Sequence, residues 1–362
     1  MSPDAKRTDQ LTFTEEELLA TAPVAEPLVV GGVLCHGGIA SDGSYVSPRT
    51  LHRTPAIEAW QRNHTAEFDT ALIDIGIDDW PANYPSVAQT RFLLQHEVAE
   101  PIVASLTRIG TVEGFGSFLR YTEVPDLRSL IVEDIEGTAL AHLDQGLIEA
   151  HARDEAGWGG DGDTPTEAGH RDMWFAARDV AFDSPATEDQ TQLMLQRMGI
   201  VGPGGGAGPA ATPERLLDDD VDPVLEMLLQ RMIRLLMIEI SAFHTFSWAE
   251  DVLSDTDLVG GEGQAAFLVS CIRADETPHV EYLRAALTEL RDRTVVGASG
   301  RHHAGSQIIR TIWDRARADA IGPRRDEFEQ TIGAEVLHAL DGRSNGEEIW
   351  EGFLHLAPQR AA

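Results

Sequence analysis

Three Glu-x-x-His spacings occur in this chain: Glu167/His170, Glu276/His279 and Glu335/His338. On a helix, residues i and i+3 share a face, so a carboxylate and an imidazole so spaced can reach one metal ion. The numbers of Glu and His in the 362 residues give about one such spacing by chance, so context must separate the three. Glu276 and His279 lie in "RADETPH", inside the apolar run "AFLVSCIRADETPHVEYLRAALTEL". They fall on the stripe Leu268, Ile272, Glu276, His279, Leu283, Leu287. A buried carboxylate is costly unless paired or metal-bound. Glu239 interrupts a similar stripe, Leu228, Met232, Leu235, Ala242, Phe246, and is the sole acid between Glu226 and Glu250. Two buried carboxylates on neighbouring helices repel unless a cation sits between them. Pro278 removes the N–H that would meet the Ala274 carbonyl, and a bend there would re-aim His279. Glu167 and His170 share a helical face with Trp174 and Ala181. Glu335 and His338 have no comparable partner acid and read as ordinary residues, as does His244 beside Phe243 and Phe246. Trp174, Trp248 and Tyr282 read as packing.

The order Glu-x-x-His, lone Glu, Glu-x-x-His resembles the ferritin-like di-iron carboxylate superfamily over roughly residues 130–290. In that family two helices give one Glu each and two give Glu-x-x-His, all pointing inward. The resemblance implies that Glu239, Glu276 and His279 serve one metal and Glu167 and His170 the other. It implies two Fe ions, or Mn, with O2 as co-substrate; carboxylate and imidazole donors suit those metals better than a thiolate-seeking ion. The first-helix carboxylate departs from the pattern. The family's spacing points to Glu136, but on a simple antiparallel pair Glu136 lies roughly 25–30 Å from Glu167. Glu149 continues the stripe Ile131, Ile135, Ala139, His142, Gly146 and is chosen, with Glu136, His142, His151 and Glu155 as open alternatives.

These residues need long helices to position them. Residues 1–25 are polar and expected to be loose. "LVVGGVLCHGGIASDGSYVSPRT" reads as a short hairpin or irregular lid with Asp42-Gly43 as a turn. Helical patterns follow in "SVAQTRFLLQHEVAEPIVASLTRIG" and, as one long helix, in "PDLRSLIVEDIEGTALAHLDQGLIEAHARDEA". "GWGGDGDTPT" is expected as loop, with Thr164 capping and Pro165 opening the helix that carries His170. "VGPGGGAGPAATP" is a flexible connector to "DPVLEMLLQRMIRLLMIEISAFHTFSWAEDVL", which is apolar nearly all round and therefore central. The expected organisation is an N-terminal irregular lid over 1–86, a di-metal bundle over 87–300 and a small module over 301–362. The last resembles, through "LDGRS" between two helices, winged-helix-like modules of peptide-modifying systems. The fold class is all-α: a ferritin-like bundle with a short β-containing N-terminal segment and a helical C-terminal appendage.

Composition narrows the function. Sixty acidic residues against 28 basic give a formal charge of −32, which repels nucleic acid and anionic lipid. Lys6 is the sole lysine. Cys35 and Cys271 make neither a disulfide framework nor a zinc site. No run reaches the roughly 20 apolar residues of a membrane span, and the N-terminus has no apolar signal core. A soluble cytoplasmic protein is expected. No dinucleotide fingerprint, P-loop or Gly-x-Ser-x-Gly elbow is present, and "GPGGGAGP" lacks a following Lys-Ser/Thr. The ferritin-like resemblance then implies an O2-activating di-metal oxidase or oxygenase, of the kind found in bacterial natural-product biosynthesis. Its substrate is a small molecule, free or carried on a protein or peptide, and homodimerisation is left open. Haem-oxygenase-like di-iron oxidases, with three ligand helices, are the second resemblance. An acidic, non-enzymatic helical binding protein is the third reading.

Overall fold

The computed structural model describes residues 10–74, 76–157, 167–182 and 214–357. The expected Gly-rich connector, the loop after Gly157 and the Thr164/Pro165 cap lie outside the described residues.

The protein is mostly α-helical with a short N-terminal sheet. Helix α1 (Glu15–Leu19) opens with a capping box between Thr14 and Glu17 and buries Leu18. Strands β1 (Glu26–Val30) and β2 (Val33–Ile39) form a hairpin about Gly31-Gly32, both at positive φ, the conformation a tight two-residue turn requires. β3 (Tyr45–Val46) adds to β2 after the expected Asp42-Gly43 turn. The remainder of the segment expected to be irregular holds α2 (Thr50–Phe68). Its buried face mixes Arg53, Ala56, Ile57, Trp60 and His64, which hides the helical period from a hydrophobicity reading.

The helix expected over 86–110 is two helices, α3 (Val87–Gln95) and α4 (Glu100–Glu113). Glu97 at φ 58° separates them, and Pro101 sits in the first turn of α4. The long helix expected from Pro125 to Ala156 is likewise broken. It becomes α5 (Leu127–Leu130), irregular turns from Leu140 to Leu147, and α6 (Ile148–Ala156). Gly137 at φ 68° and Gly146 at φ 121° are the break points. The Glu289 carboxylate accepts from the Ala139 and Leu140 N–H groups, fixing the chain between them.

Helix α7 (His170–Phe182) precedes the two central helices, α8 (Pro223–Leu253) and α9 (Gln264–Arg291). Asp222 caps α8 and Pro223 starts it. α9 continues through the buried Pro278. Hairpin β4 (Thr294–Val296) and β5 (His302–Ala304) leads to α10 (Gly305–Ile321), α11 (Pro323–Leu340) and α12 (Gly346–His355). The C-terminal helices share the core of α4 and α7: Ile332, Val336 and Phe353 join Leu106 and Trp174 in one apolar cluster.

Two apolar clusters fill the interior. One holds Met237, Ile240, Val280 and Leu283; the other holds Phe246, Ile272, Leu268 and Trp174. α8 and α9 run through both. Among the described residues, no helix is long and apolar enough to cross a membrane.

Candidate metal centre

At the junction of the two apolar clusters lies a polar knot. Its side chains come from the end of α4 (Glu113), from α6 (His151, Asp154, Glu155), the start of α7 (His170), the middle of α8 (Glu239) and the middle of α9 (Asp275, Glu276, His279). All are buried except Glu113, which is half-buried; His151, His170, Glu276 and His279 have no exposed surface.

Ligand atoms of His151, Glu155, Glu239, Glu276 and His279 lie within 4.8 Å of one another, and so do those of Glu113, Glu155, His170 and Glu276. The two groups share Glu155 and Glu276. His151 Nε2 is 3.3 Å from both Glu155 Oε1 and Glu239 Oε1. His170 Nδ1 is 2.9 Å from Glu276 Oε1 and 3.3 Å from Glu155 Oε2. His279 Nδ1 is 2.6 Å from Glu276 Oε2.

Each imidazole is backed on its other nitrogen. His279 Nε2 lies 3.0 Å from Asp154 Oδ2, and Asp154 also accepts from Arg49 Nε at 2.6 Å and from Arg53 Nη2 at 2.6 Å. His151 Nδ1 lies 3.1 Å from the Tyr282 hydroxyl. His170 Nε2 faces Asp275 Oδ2 at 3.5 Å. An outer partner of this kind fixes the tautomer and turns the free ring nitrogen inward. The His151 and His279 rings stack with centroids 3.6 Å apart.

Six carboxylates (Glu113, Asp154, Glu155, Glu239, Asp275, Glu276) face two guanidiniums, Arg49 and Arg53, so acids outnumber the permanent cations in the knot, a donor set that could hold metal. The strain is visible in the acidities. Burial, then the Glu239 charge, push the Glu276 carboxyl well above the ordinary carboxylate range against the pull of His170. Burial and the Glu155 charge do the same to Glu113. His170 and His151 hold Glu155 below that range although burial opposes them. Burial and neighbouring His151 pull His279 down to about 4. His151 Nε2, both His170 nitrogens, Glu155 Oε2 and Glu276 Oε1 are buried with no hydrogen-bond partner. Buried polar atoms are almost always satisfied, so the orphans that face into the knot (His151 Nε2, His170 Nδ1, Glu155 Oε2 and Glu276 Oε1) fit a cation, while His170 Nε2 faces Asp275. The buried thiols of Cys35 and Cys271 are pushed up to about 11 and 12, chiefly by burial, and are poor ligands there.

Of the residues chosen from sequence, His170, Glu239, Glu276 and His279 meet in this knot. Glu149 and Glu167 do not. Glu149 is partly exposed and pairs with Arg153 Nε at 2.6 Å, because the helical phase restarts after Gly146 and turns it outward. Its neighbours His151 and Glu155 take the inward face. Glu167 precedes the first residue of α7, so the i, i+3 geometry with His170 does not exist. It lines a surface cleft of about 710 Å³ with Gly31, Val33 and Asp172. Glu136 pairs with Arg128 on the surface, and His142 stacks on Trp60. Glu335 pairs with Arg108, and His244 is half-buried, bonded to the Ile77 carbonyl. Glu113, Asp154, Asp275, His36, Arg49 and Arg53 escape the Glu-x-x-His search. Glu113 had a signal, since it extends the stripe Ile102, Leu106, Gly110 once α4 is carried past Gly110. His151 and Glu155, at i and i+4, are the reversed form of the same helical-face pairing. No family model, curated protein or solved structure matches this chain.

Proposed function

We propose that this chain is a dinuclear metal oxidoreductase, holding Fe or Mn, that uses O2 to oxidise a small organic substrate. The observation that carries this reading is the sharing of Glu155 and Glu276 between two ligand groups. A carboxylate with two oxygens can serve an ion on each side, so the shared pair would bridge. His151, Glu239 and His279 would complete one position, and Glu113 and His170 the other. Ligand residues from five helices favour the ferritin-like arrangement over the three-helix alternative. The all-oxygen and imidazole donor set suits Fe and Mn. Such a pair of ions, when bound, supplies the electrons for dioxygen reduction.

The chain's own residues do the rest. Asp154, clamped by Arg49 and Arg53, would hold the proton on His279 Nε2 and leave the Nδ1 lone pair turned inward, toward a metal. Tyr282 orients His151. Trp174 and Phe246, stacked at 5.7 Å and fully buried, keep water from the α7–α8 side. Glu113, half-buried, is the least enclosed corner of the knot, so reactants would approach from the end of α4.

The test is anaerobic loading with Fe(II) or Mn(II), desalting, elemental analysis, and admission of O2 while absorbance is followed. Two ions per chain, one for each ligand group, and an O2-dependent absorbance change are expected. A chain that retains no Fe or Mn, or retains two without any response to O2, refutes the reading.

A further inference from the structure

The two imidazoles that anchor opposite ends of the centre, His279 and His170, are backed in different ways. Behind His279 stands Asp154, held by two guanidiniums from the start of α2. Guanidinium groups are charged at every accessible pH and bond a carboxylate in a rigid fork. Behind His170 stands Asp275, and no guanidinium reaches it among the described residues. Its Oδ2 accepts from the Tyr45 hydroxyl at 2.8 Å and lies 2.9 Å from His36 Nε2. Both of these belong to the N-terminal sheet, His36 to β2 and Tyr45 to β3.

The same sheet grips the backbone in front of His170. The His36 N–H donates to the Ala168 carbonyl at 2.9 Å, and the Ala168 N–H donates to the Leu34 carbonyl at 2.8 Å. Thus β2 pairs with the two-residue approach to α7. Gly37, at φ 71°, lets Tyr45 cross β2 to reach Asp275: a Cβ there would lie 2.5 Å from the Tyr45 hydroxyl oxygen. The sheet therefore fixes both the main chain entering His170 and the carboxylate behind its ring.

We infer that the N-terminal β-sheet is the positioning element of one metal position only: through Asp275 and Ala168, His36 and Tyr45 set the His170/Glu113 half and leave the His279/Glu239 half alone. This rests on the dinuclear reading above. The longer 3.5 Å contact from His170 to Asp275, against 3.0 Å for His279 to Asp154, agrees with a looser half. Tyr45 acts through Asp275, and His36 does so too while its ring also packs edge-on against His170 with centroids 5.3 Å apart, so both are positioning residues of this half.

The test is Mn(II) binding to the full chain under argon, by calorimetry and by electron paramagnetic resonance of free Mn(II). Wild type, Tyr45→Phe, His36→Ala/Tyr45→Phe and His36→Gln are compared. Loss of outer-shell partners lowers metal affinity about 10–100-fold. One equivalent should weaken by that factor in the double variant, less in Tyr45→Phe, while the other stays within about twofold of wild type. The unaffected equivalent also reports that the variant is folded. His36→Gln, whose amide can still donate to Asp275, should restore most of the lost affinity. Equal weakening of both equivalents, or no change in either, overturns the inference while leaving the dinuclear centre standing. Failure of wild type to bind Mn(II) at all overturns the centre itself.

Discussion

Glu276→Gln isolates the charge of one of the two residues common to both ligand groups. Glu276 has no exposed surface, and burial and Glu239 push its carboxyl well above the ordinary range. Its environment in metal-free protein thus favours the neutral carboxyl, which a glutamine of the same shape imitates. The metal-free variant should melt within about 2 °C of wild type, since a neutral isostere removes no buried charge. Metal tells the two apart. An ion at 100 times its Kd stabilises the native state by about 2.7 kcal/mol, so two contribute about 5 kcal/mol. A chain of 362 residues unfolds with an entropy of about 0.8 kcal/mol/K, which converts that gain to a rise of about 7 °C. Glutamine offers one neutral oxygen in place of two charged ones, to both positions at once. The metal-induced rise should shrink to about 2 °C or less at the same metal concentration. Differential scanning calorimetry with and without Mn(II) reads both numbers. A variant that keeps the full rise, with two ions bound, refutes the assignment of Glu276 as the shared carboxylate. A metal-free variant that melts far below wild type refutes the claim that Glu276 is protonated there.

Gly116 packs so closely on Glu155 that an added Cβ would overlap Glu155 Cγ and Cδ. Gly116→Ala should displace this second shared carboxylate and lower metal stoichiometry below two with little change in far-ultraviolet circular dichroism. Full stoichiometry would show that the turn after α4 yields instead. Glu289, far from the centre, gives a pH signature. Burial pushes its carboxyl up to about 7 despite the two N–H groups it accepts from. A raised folded-state value means that its stabilisation is complete below the unfolded value near 4.5 and is lost as pH rises through 7. The loss is about 3 kcal/mol at 1.36 kcal/mol per unit. Glu289→Gln should flatten urea-derived stability between those two pH values, and an unchanged slope would remove Glu289 as its source.

The second half of the centre was legible because α8 and α9 are long and unbroken. Along such helices a period of 3.6 keeps its phase, so an acid on an apolar stripe at Glu239 must meet the stripe of Glu276 and His279. The first half was not legible by the same means. Between Pro125 and His170 the chain turns at Gly137 and Gly146, and each turn erases the phase of the stripe before it. Extrapolating through Gly146 selected Glu149, while the true register of α6 points His151 and Glu155 inward. Searching for Glu before His left His151 and Glu155 only as alternatives to Glu149, because in that pair the order is reversed. Asp154 and Asp275 raised no signal of their own, since each is one acid among 60. Their partners Arg49, Arg53, His36 and Tyr45 lie more than a hundred residues away.

The position of the knot bears on why the fold tolerates it. The apolar clusters around Met237 and Val280 and around Phe246 and Ile272 would merge into one continuous core if the residues between them were apolar. Replacing buried ionic groups by well-packed hydrophobic ones is often neutral or stabilising by about 1–4 kcal/mol. Here six acids occupy that junction and, among the described residues, only Asp154 has guanidinium partners, so the metal-free fold bears a burial penalty there. Metal ions would offset the residual charge and satisfy the inward-facing orphaned nitrogens and oxygens together. Metal binding and folding are then linked through the same residues: the energy of coordination stabilises the junction, and the junction, once formed, sets the ligand geometry.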